Sequence, residues 1–298
     1  MMRQSSRRIF LRRLLGGSAS TLLMPLVPSL LGKAFAQEAD EDEEIFRKKF
    51  LWATSNSFAG KPMGEITSRI GISFLGAPYV ENPLDPPGEE HLVVNLHAFD
   101  CVTFVETSLA LARCVKAMAS SYQDYTRELR RIRYRSGVMK GYASRLHYFS
   151  DWIRDNEEKG VVRNVTQGLG GRSYHKALNF MTSHRGSYPQ LADDAMYREL
   201  QKIEHELLQY PLLSIPSTAV LTAERKIRSG DIIAIASSIE GLDVTHTGMA
   251  VAEGRTVRFL HAPLSGGTVL MSEGTLSEYV THLGTSAAGI MVARPQEP

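Results

Sequence analysis

Three residues of the 298-residue chain have the types and the setting that nucleophilic catalysis requires: Cys101, His246 and His261. Cys101 directly follows Asp100 at the predicted start of a helix. The partial positive charge of a helix N-terminus favours the thiolate, which is the nucleophilic form of cysteine. A histidine beside such a cysteine can take the thiol proton, and a second polar residue can orient that histidine. The pattern therefore predicts acyl transfer through a thioester.

The second cysteine, Cys114, lies in the middle of the same predicted helix, Cys101 to Ala119. Along a continuous helix the two cysteines are ~20 Å apart, which is far beyond disulfide reach. Cys114 has the setting of a small buried apolar residue. We therefore expect Cys101 to be unpaired and Cys114 to be structural.

The two histidines lie on consecutive predicted strands of a hairpin. A turn at Glu253-Gly254 places His246 directly opposite His261, with Cβ atoms about 5 Å apart on the same face. A turn one residue later places His246 opposite Pro263 instead. The juxtaposition of the two imidazoles therefore depends on the register.

These residues stand in motifs that resemble the NlpC-like, papain-type cell-wall peptidases and amidases. The order of a tyrosine, a cysteine, a histidine and a further polar residue covers Gly76 to Val292. The matching segments are Gly76-Ala77-Pro78-Tyr79, Phe99-Asp100-Cys101-Val102, Ser229-Gly230-Asp231-Ile232-Ile233, Thr245-His246-Thr247-Gly248-Met249-Ala250-Val251 and Phe259-Leu260-His261-Ala262. Phe99 to Glu106 and Ser144-Arg145-Leu146-His147-Tyr148 also resemble an N-acetylmuramoyl-L-alanine amidase-like branch with helical insertions.

The resemblance implies a role for each of these residues. Cys101 attacks an amide carbonyl, His246 transfers the proton and His261 orients His246. The Cys101 backbone N–H, with the hydroxyl of Tyr79, stabilises the oxyanion. Val102-Thr103 replaces the Ser-Gly of typical superfamily members, which leaves the substrate preference open.

Substrate contacts are predicted from the segments that the superfamily core lacks. The Gly- and Pro-rich loop from Val80 to Phe99 and the stretch from Ser144 to Trp152 are the expected walls of a cleft. Asn95 is expected to hydrogen-bond a peptide backbone. Arg145 is expected to pair with a substrate carboxylate, a geometry that suits a guanidinium, although a solvated helix face is an equal alternative.

The order of the elements predicts an α+β fold. Apolar periodicity predicts helices at Cys101 to Ala119 and Gln190 to Tyr210, basic helices are predicted at Tyr122 to Tyr134 and Arg145 to Glu158, and short strands follow Ser229. We expect a papain-like, NlpC-type core in which the cysteine helix packs on an antiparallel sheet. One catalytic domain is predicted at 45–298, with a helical insertion at about 121–210.

The N-terminal segment predicts export from the cytoplasm. Residues 1–36 have a basic start, an apolar stretch and Ala34-Phe35-Ala36 as a cleavage signal, which is the layout of a signal peptide. Ser6-Arg7-Arg8-Ile9-Phe10-Leu11-Arg12 resembles the twin-arginine motif, so the export machinery of that route is an expected partner of the precursor. Residues 37–44 are interpreted as a solvated acidic tether, and the mature protein is expected in the periplasm or outside the cell.

The charge balance argues against nucleic acid as a partner. Without residues 1–36 the chain has 28 basic and 32 acidic residues, so nucleic acid is not an expected partner.

The sequence then predicts a cysteine amidase that hydrolyses an amide bond of peptidoglycan or muropeptides, with no cofactor and no metal. The resemblance implies the N-acetylmuramoyl–L-alanine bond.

Three alternatives stay open. An endopeptidase of the same fold would cut the stem peptide between D-glutamate and the diamino acid. A zinc hydrolase would use Cys101, His246 and His261 as metal ligands, with water in the fourth position. A cell-wall-binding module would have lost catalysis altogether.

Overall fold

The computed structural model describes the backbone of residues 28–298 and the side chains of residues 40–298. Most of the predicted signal peptide therefore lies outside the described residues. The α-helices are α1 (Pro28–Ser55), α2 (Met63–Ile72), α3 (Cys101–Ala117), α4 (Tyr122–Arg133), α5 (Phe149–Glu158), α6 (Phe180–Ser183), α7 (Asp194–Leu207), α8 (Val220–Glu224) and α9 (Leu276–His282).

An eight-stranded antiparallel sheet runs through the molecule. Its strands are β1 (Val162–Asn164), β2 (Arg172–Tyr174), β3 (Leu212–Pro216), β4 (Ile232–Ser237), β5 (Val244–Glu253), β6 (Thr256–His261), β7 (Leu270–Thr275) and β8 (Ala287–Pro295). Seven strands follow the order β2-β3-β8-β4-β5-β6-β7, and β1 pairs with β8. The α+β class is confirmed, whereas the first three strands were not predicted from the sequence.

Apolar side chains on the two faces of the sheet form two cores. Ile232 and Met249 point to the large core, which also contains the buried faces of α1 to α5. Ile233 and Ala250 point to a smaller core that α8 and α9 cover. Because successive residues of a strand alternate between faces, two adjacent apolar positions such as 232 and 233 require cover on both sides.

The segment that we predicted to be an acidic tether is helical in the structure. Residues 37–44 are part of α1, and the Asp42 side chain is buried. Its Oδ1 accepts a hydrogen bond of 2.7 Å from the backbone N–H of Leu96. Asp42 therefore fastens the loop that precedes α3, because the buried N–H needs an acceptor.

Two predicted helices of the insertion are shorter than expected. The helix predicted from Arg145 begins at Phe149, after a stretch in which Arg145 is extended. The helix predicted from Gln190 begins at Asp194, where the Asp193 carboxylate accepts a hydrogen bond of 2.7 Å from the N–H of Ala195. In the second helix, Leu200 and Leu207 of the predicted apolar face are buried.

Within the described part of the chain, none of the helices combines the length and the apolar character that crossing a membrane requires.

Candidate active site

Cys101 is the first residue of α3, as the sequence predicts. The preceding Asp100 caps the helix, and its Oδ1 accepts hydrogen bonds from the N–H groups of Val102 (3.1 Å) and Thr103 (2.7 Å). The Thr103 hydroxyl in turn accepts from the N–H of Asp100 (3.0 Å), which completes a capping box. This cap holds the half-buried Cys101 at the positive end of a 17-residue helix.

The register of the histidine hairpin differs from the predicted one. Glu253 pairs with Thr256, so the turn is one residue later, and His261 lies opposite Gly248 rather than His246. His246 and His261 are nevertheless diagonal neighbours on one face, because the shift of two positions preserves the face. Nε2 of His246 lies 2.7 Å from Nδ1 of His261. The direct pairing was wrong, but the expected contact between the imidazoles exists.

Burial keeps both imidazoles neutral. It lowers the pKa of His246 to about 4. The pKa of His261 falls to about 2, through burial first and the neighbouring His246 second. In two neutral rings one nitrogen must donate to the other. If the His246 Nε2–H donates to Nδ1 of His261, Nδ1 of His246 retains a lone pair that can accept a proton.

Cys101 and His246 line one cavity of about 360 Å³. The loop before α3 forms one wall of this cavity, and the helical insertion forms another. Loop residues in the wall are Tyr79, Glu81, Asn82, Leu84 and Asp85, and insertion residues are Tyr142, Arg145, Leu146, His147, Tyr148, Phe149, Phe180, Met181, Ser187, Tyr188 and Pro189. The predicted wall segments therefore surround the candidate nucleophile.

Tyr79 lines the same cavity as Cys101. Its N–H donates to the carbonyl of Gly267 (2.8 Å), and the N–H of the next residue donates to the carbonyl of Phe99 (3.0 Å). This short parallel bridge fixes Tyr79 beside the residues that lead into α3. The predicted role of its hydroxyl in binding an oxyanion stays a prediction.

Asn95 does not line the cavity. Its Oδ1 accepts hydrogen bonds from the N–H groups of His97 and Ala98, both at 2.8 Å. The side chain thus holds the turn before α3 in place, a common use of asparagine in turns. The expected contact with a substrate backbone has no support in this placement.

Arg145 lines the cavity, but its guanidinium is engaged within the protein. It forms an ion pair with Asp85 (2.5 Å), lies 3.7 Å from Glu90 and donates to the carbonyl of Leu84. Its side chain is 6% exposed. The expected pairing with a substrate carboxylate must therefore be corrected, because a carboxylate would have to displace Asp85. Neither is Arg145 a solvated residue.

A second buried ion pair lies at the base of the cavity. Nε of Arg133 donates to Oε2 of Glu106 at 2.7 Å, and both side chains are 2% exposed. Nε1 of Trp152 donates to Oε1 of the same carboxylate (3.1 Å). Both arginines in the described lining are thus paired with carboxylates of the protein.

Three residues around His261 were assigned no role from the sequence. Phe259 stacks on the imidazole with ring centroids 4.6 Å apart, and Tyr279 meets it edge-on at 5.0 Å. A Cβ on Gly248 would lie 2.8 Å from Cβ of His261, so glycine is needed opposite the imidazole. A glycine inside a strand pattern is a signal of such a close approach, whereas nothing local points to Tyr279.

The charge of Cys101 affects the titration of Tyr279. Burial is the main reason why the pKa of Tyr279 is raised, and the negative charge of the Cys101 thiolate adds to the shift. By contrast, burial raises the pKa of Cys114 to about 12. Neither cysteine, both of which are described, forms a disulfide.

The described residues contain no group of three or more His, Cys, Asp or Glu side chains arranged to hold a metal ion. Nε2 of His246 and Nδ1 of His261 face each other at hydrogen-bond distance, so these two nitrogens are not directed at a common ion. The zinc alternative therefore has no support in this geometry.

A cysteine at a helix N-terminus lines one cavity together with a histidine that is hydrogen-bonded to a second histidine, and acyl-transfer hydrolases use these residue types. The family model described as AmiA-like, N-acetylmuramoyl-L-alanine amidase-like, matches residues 69–286, and the chain belongs to this family. The resemblance to that branch is thus confirmed, and the family supports a hydrolase of the peptidoglycan amidase type.

Three solved structures are similar to this chain, and one of them is named an amidase. An N-acetylmuramoyl-L-alanine amidase from Bacteroides uniformis is 34% identical with a TM-score of 0.74, over 79% of this chain and 99% of that one. A Bacteroides fragilis protein provisionally named a xylanase is 33% identical with a TM-score of 0.71, over 76% and 99%. A Legionella pneumophila protein, at 22% identity and a TM-score of 0.66 over 88% and 98%, shares the fold. No curated protein matches the sequence.

Proposed function

We propose that the protein is an exported cysteine amidase that hydrolyses the N-acetylmuramoyl–L-alanine bond of peptidoglycan or muropeptides. The observation that carries the proposal is that Cys101 and His246 line the same cavity, with His246 hydrogen-bonded to His261. A papain-like, NlpC-type core is part of the same proposal. It is supported by the order of the motifs. It is also supported by the cysteine helix α3, whose buried apolar residues belong to the core on one face of the antiparallel sheet.

The proposed reaction has two steps. Nδ1 of His246 takes the thiol proton as Sγ of Cys101 attacks the amide carbonyl, and the N–H of Cys101 with Tyr79 stabilises the oxyanion. When the C–N bond breaks, His246 returns the proton to the leaving amine and the acyl group remains as a thioester. Water, deprotonated by His246, then attacks the thioester, which releases the acid and regenerates the thiol.

The charges of the cavity favour the muramoyl bond over a stem-peptide bond. Arg133 and Arg145 are each held by a buried or half-buried carboxylate of the protein. A D-glutamate carboxylate could bind one of these arginines only by breaking its existing pair and leaving a carboxylate of the protein unpaired, which is costly. An uncharged saccharide with its lactyl carbonyl meets no such penalty.

The test uses the protein of residues 37–298 with defined muropeptides, and mass spectrometry identifies the products. We expect the free saccharide and an intact peptide that begins with L-alanine. Cys101→Ala should abolish turnover because no other group in the mechanism can form the thioester. Cys114→Ala is the matched control, because Cys114 is a buried cysteine of the same helix and should not be required for turnover.

The alternatives predict different products. Cleavage within the stem peptide would keep the thiol mechanism and replace the proposed bond. Retained turnover in Cys101→Ala would contradict the mechanism itself. Binding to wall material without any turnover would identify a binding module.

Export by the twin-arginine route remains part of the proposal, supported by the sequence of the first 36 residues. Cell fractionation should recover the protein outside the cytoplasm. Replacement of Arg7 and Arg8 by lysine should keep the protein in the cytoplasm.

A further inference from the structure

The orientation of His261 requires an explanation, because its imidazole has little hydrogen bonding to hold it. Among the described residues, the contact between its Nδ1 and Nε2 of His246 (2.7 Å) is the one hydrogen bond of the His261 ring. The torsion that rotates an imidazole about its Cβ–Cγ bond has a broad, roughly two-fold preference. One hydrogen bond can choose between the two flipped orientations, but packing must set the plane of the ring.

Aromatic contacts supply this packing from two directions. Phe259 lies two residues earlier on β6 and stacks on the face of the imidazole, with an interplanar angle of 22°. Tyr279 approaches from α9 with its ring at 73° to the imidazole. Tyr279 also packs on Phe259 with centroids 5.0 Å apart, so the three rings form one cluster. Edge-to-face and offset-stacked pairs at these distances are the favoured arrangements.

Hydrogen bonds and apolar packing hold α9 in place. The Thr275 hydroxyl accepts from the N–H of Glu278 (3.2 Å), and the Glu278 carboxylate accepts from the N–H of Thr275 (2.8 Å). The N–H of Ser277 donates to Glu224 of α8 at 2.5 Å, and Val280 is buried in the small core. Tyr279 is thus presented to His261 by a helix that is fixed at its start and along its buried face.

We propose that Tyr279 is a positioning residue of the candidate active site: together with Phe259 it fixes the plane of the His261 ring, so that Nδ1 of His261 meets Nε2 of His246. This inference rests on the proposed function, in which His246 takes the proton of Cys101. Burial by the same rings keeps His261 neutral, so that its Nδ1 retains the lone pair that accepts from His246. The ring of Tyr279, rather than its hydroxyl, performs this task.

The rate at which iodoacetamide alkylates Cys101, followed by mass spectrometry across pH, tests the proposal without any substrate. In Tyr279→Leu we expect about a tenfold lower rate near neutral pH and a profile closer to that of an ordinary thiol, because His246 is no longer oriented. Tyr279→Phe keeps the ring and should restore the rate to within about twofold of the parent. Val280→Ala is the control, because it weakens the packing of the same helix next to Tyr279 without removing a ring.

A second readout observes the histidines directly. In ¹⁵N NMR spectra, the parent and Tyr279→Phe should have an unprotonated, hydrogen-bonded Nδ1 on His261, and Tyr279→Leu should have an averaged signal from both nitrogens. If Tyr279→Leu does not fold, Tyr279→Met provides the same comparison with a more flexible apolar side chain.

Two results would overturn the proposal. One is a parent-like alkylation profile and a parent-like His261 spectrum in the Leu or Met variant. The other is a loss in Tyr279→Phe as large as in Tyr279→Leu, which would assign the effect to the hydroxyl. A failure of the proposed function would look different from a failure of this inference. The parent protein would then not cleave muropeptides, although its His261 spectrum would still be that of a positioned ring.

Discussion

At the scale of single residues, the candidate active site depends on imidazoles that stay neutral. Most exposed histidines titrate near pH 6.5, but burial lowers the pKa of His246 to about 4. A general base is useful only while it is unprotonated, so the lowered pKa extends the usable range towards acid. The neighbouring His261 has an even lower pKa, and it therefore accepts a hydrogen bond at any pH at which His246 can act.

We predict that kcat/KM for muropeptide hydrolysis persists well below pH 6.5. Between pH 6.5 and about 4 an ordinary histidine would be protonated, whereas His246 remains neutral in the folded protein. The acid limb of kcat/KM reports the free enzyme, so it should lie near pH 4 to 5. The measurement is a pH–rate profile with a defined muropeptide.

A control separates this effect from acid unfolding. Circular dichroism at each pH identifies the range in which the protein stays folded. An acid limb near pH 6.5 within that range would contradict the assignment of His246 as the buried base.

At the scale of elements, the segment from Val80 to Phe99 has little regular secondary structure but is anchored at several points. Asp85 pairs with Arg145, Glu90 accepts from the Tyr134 hydroxyl (2.8 Å), and Leu96 donates to Asp42. These partners lie on three different parts of the chain. The loop is therefore a fixed wall of the cavity, since its groups are bound to α1, to Tyr134 directly after α4 and to Arg145 in the extended stretch before α5.

We predict that Arg145→Ala loosens this wall. The change leaves the half-buried carboxylate of Asp85 and the buried carboxylate of Glu90 without their cation, which is expected to cost about 1–3 kcal/mol. Hydrogen exchange should become faster within residues 80–99, and kcat/KM should fall while the rest of the protein stays folded. Exchange followed by mass spectrometry measures the first effect.

The matched control is Arg127→Ala, because Arg127 forms an exposed ion pair with Asp124 on α4. Exposed pairs contribute little to stability, so this variant should resemble the parent. If Arg145→Ala exchanges no faster than Arg127→Ala in residues 80–99, the proposed anchor is wrong.

At the scale of the whole molecule, the buried pair of Glu106 and Arg133 joins three helices beneath the cavity. Glu106 is on α3, Arg133 ends α4, and Trp152 of α5 donates to the same carboxylate. The pair therefore connects the helix that carries Cys101 to the insertion that forms the opposite wall. Its removal should affect the fold as well as the site.

We predict that Glu106→Gln lowers the free energy of unfolding by about 3–5 kcal/mol, because the buried Arg133 guanidinium loses its counter-charge. Urea denaturation followed by circular dichroism measures the change. Glu65→Gln is the control, since Glu65 pairs with Arg69 at the surface and should cost less than about 1 kcal/mol. Equal losses in the two variants would disprove the structural importance of the buried pair.

Much of the fold could be predicted because its signals are local. The start of α3 at Cys101 follows from Asp100, whose carboxylate can cap a helix, and from the apolar stripe behind it. The start of α9 follows in the same way from the capping box of Thr275 and Glu278. Strands β1 to β3 were missed, because three to five residues carry too little periodicity to identify a strand.

The main residues of the candidate site could be predicted from the sequence, but their spatial arrangement could be predicted only in part. The sequence alone determined that Cys101 begins a helix and that His246 and His261 share a face, because a helix cap and a two-residue strand period are local rules. The tertiary structure decided the register of the histidines, the pairing of Arg145 with Asp85 and the approach of Tyr279 to His261. These contacts join residues that are distant in the chain, and their energies depend on burial and charge that no local pattern encodes.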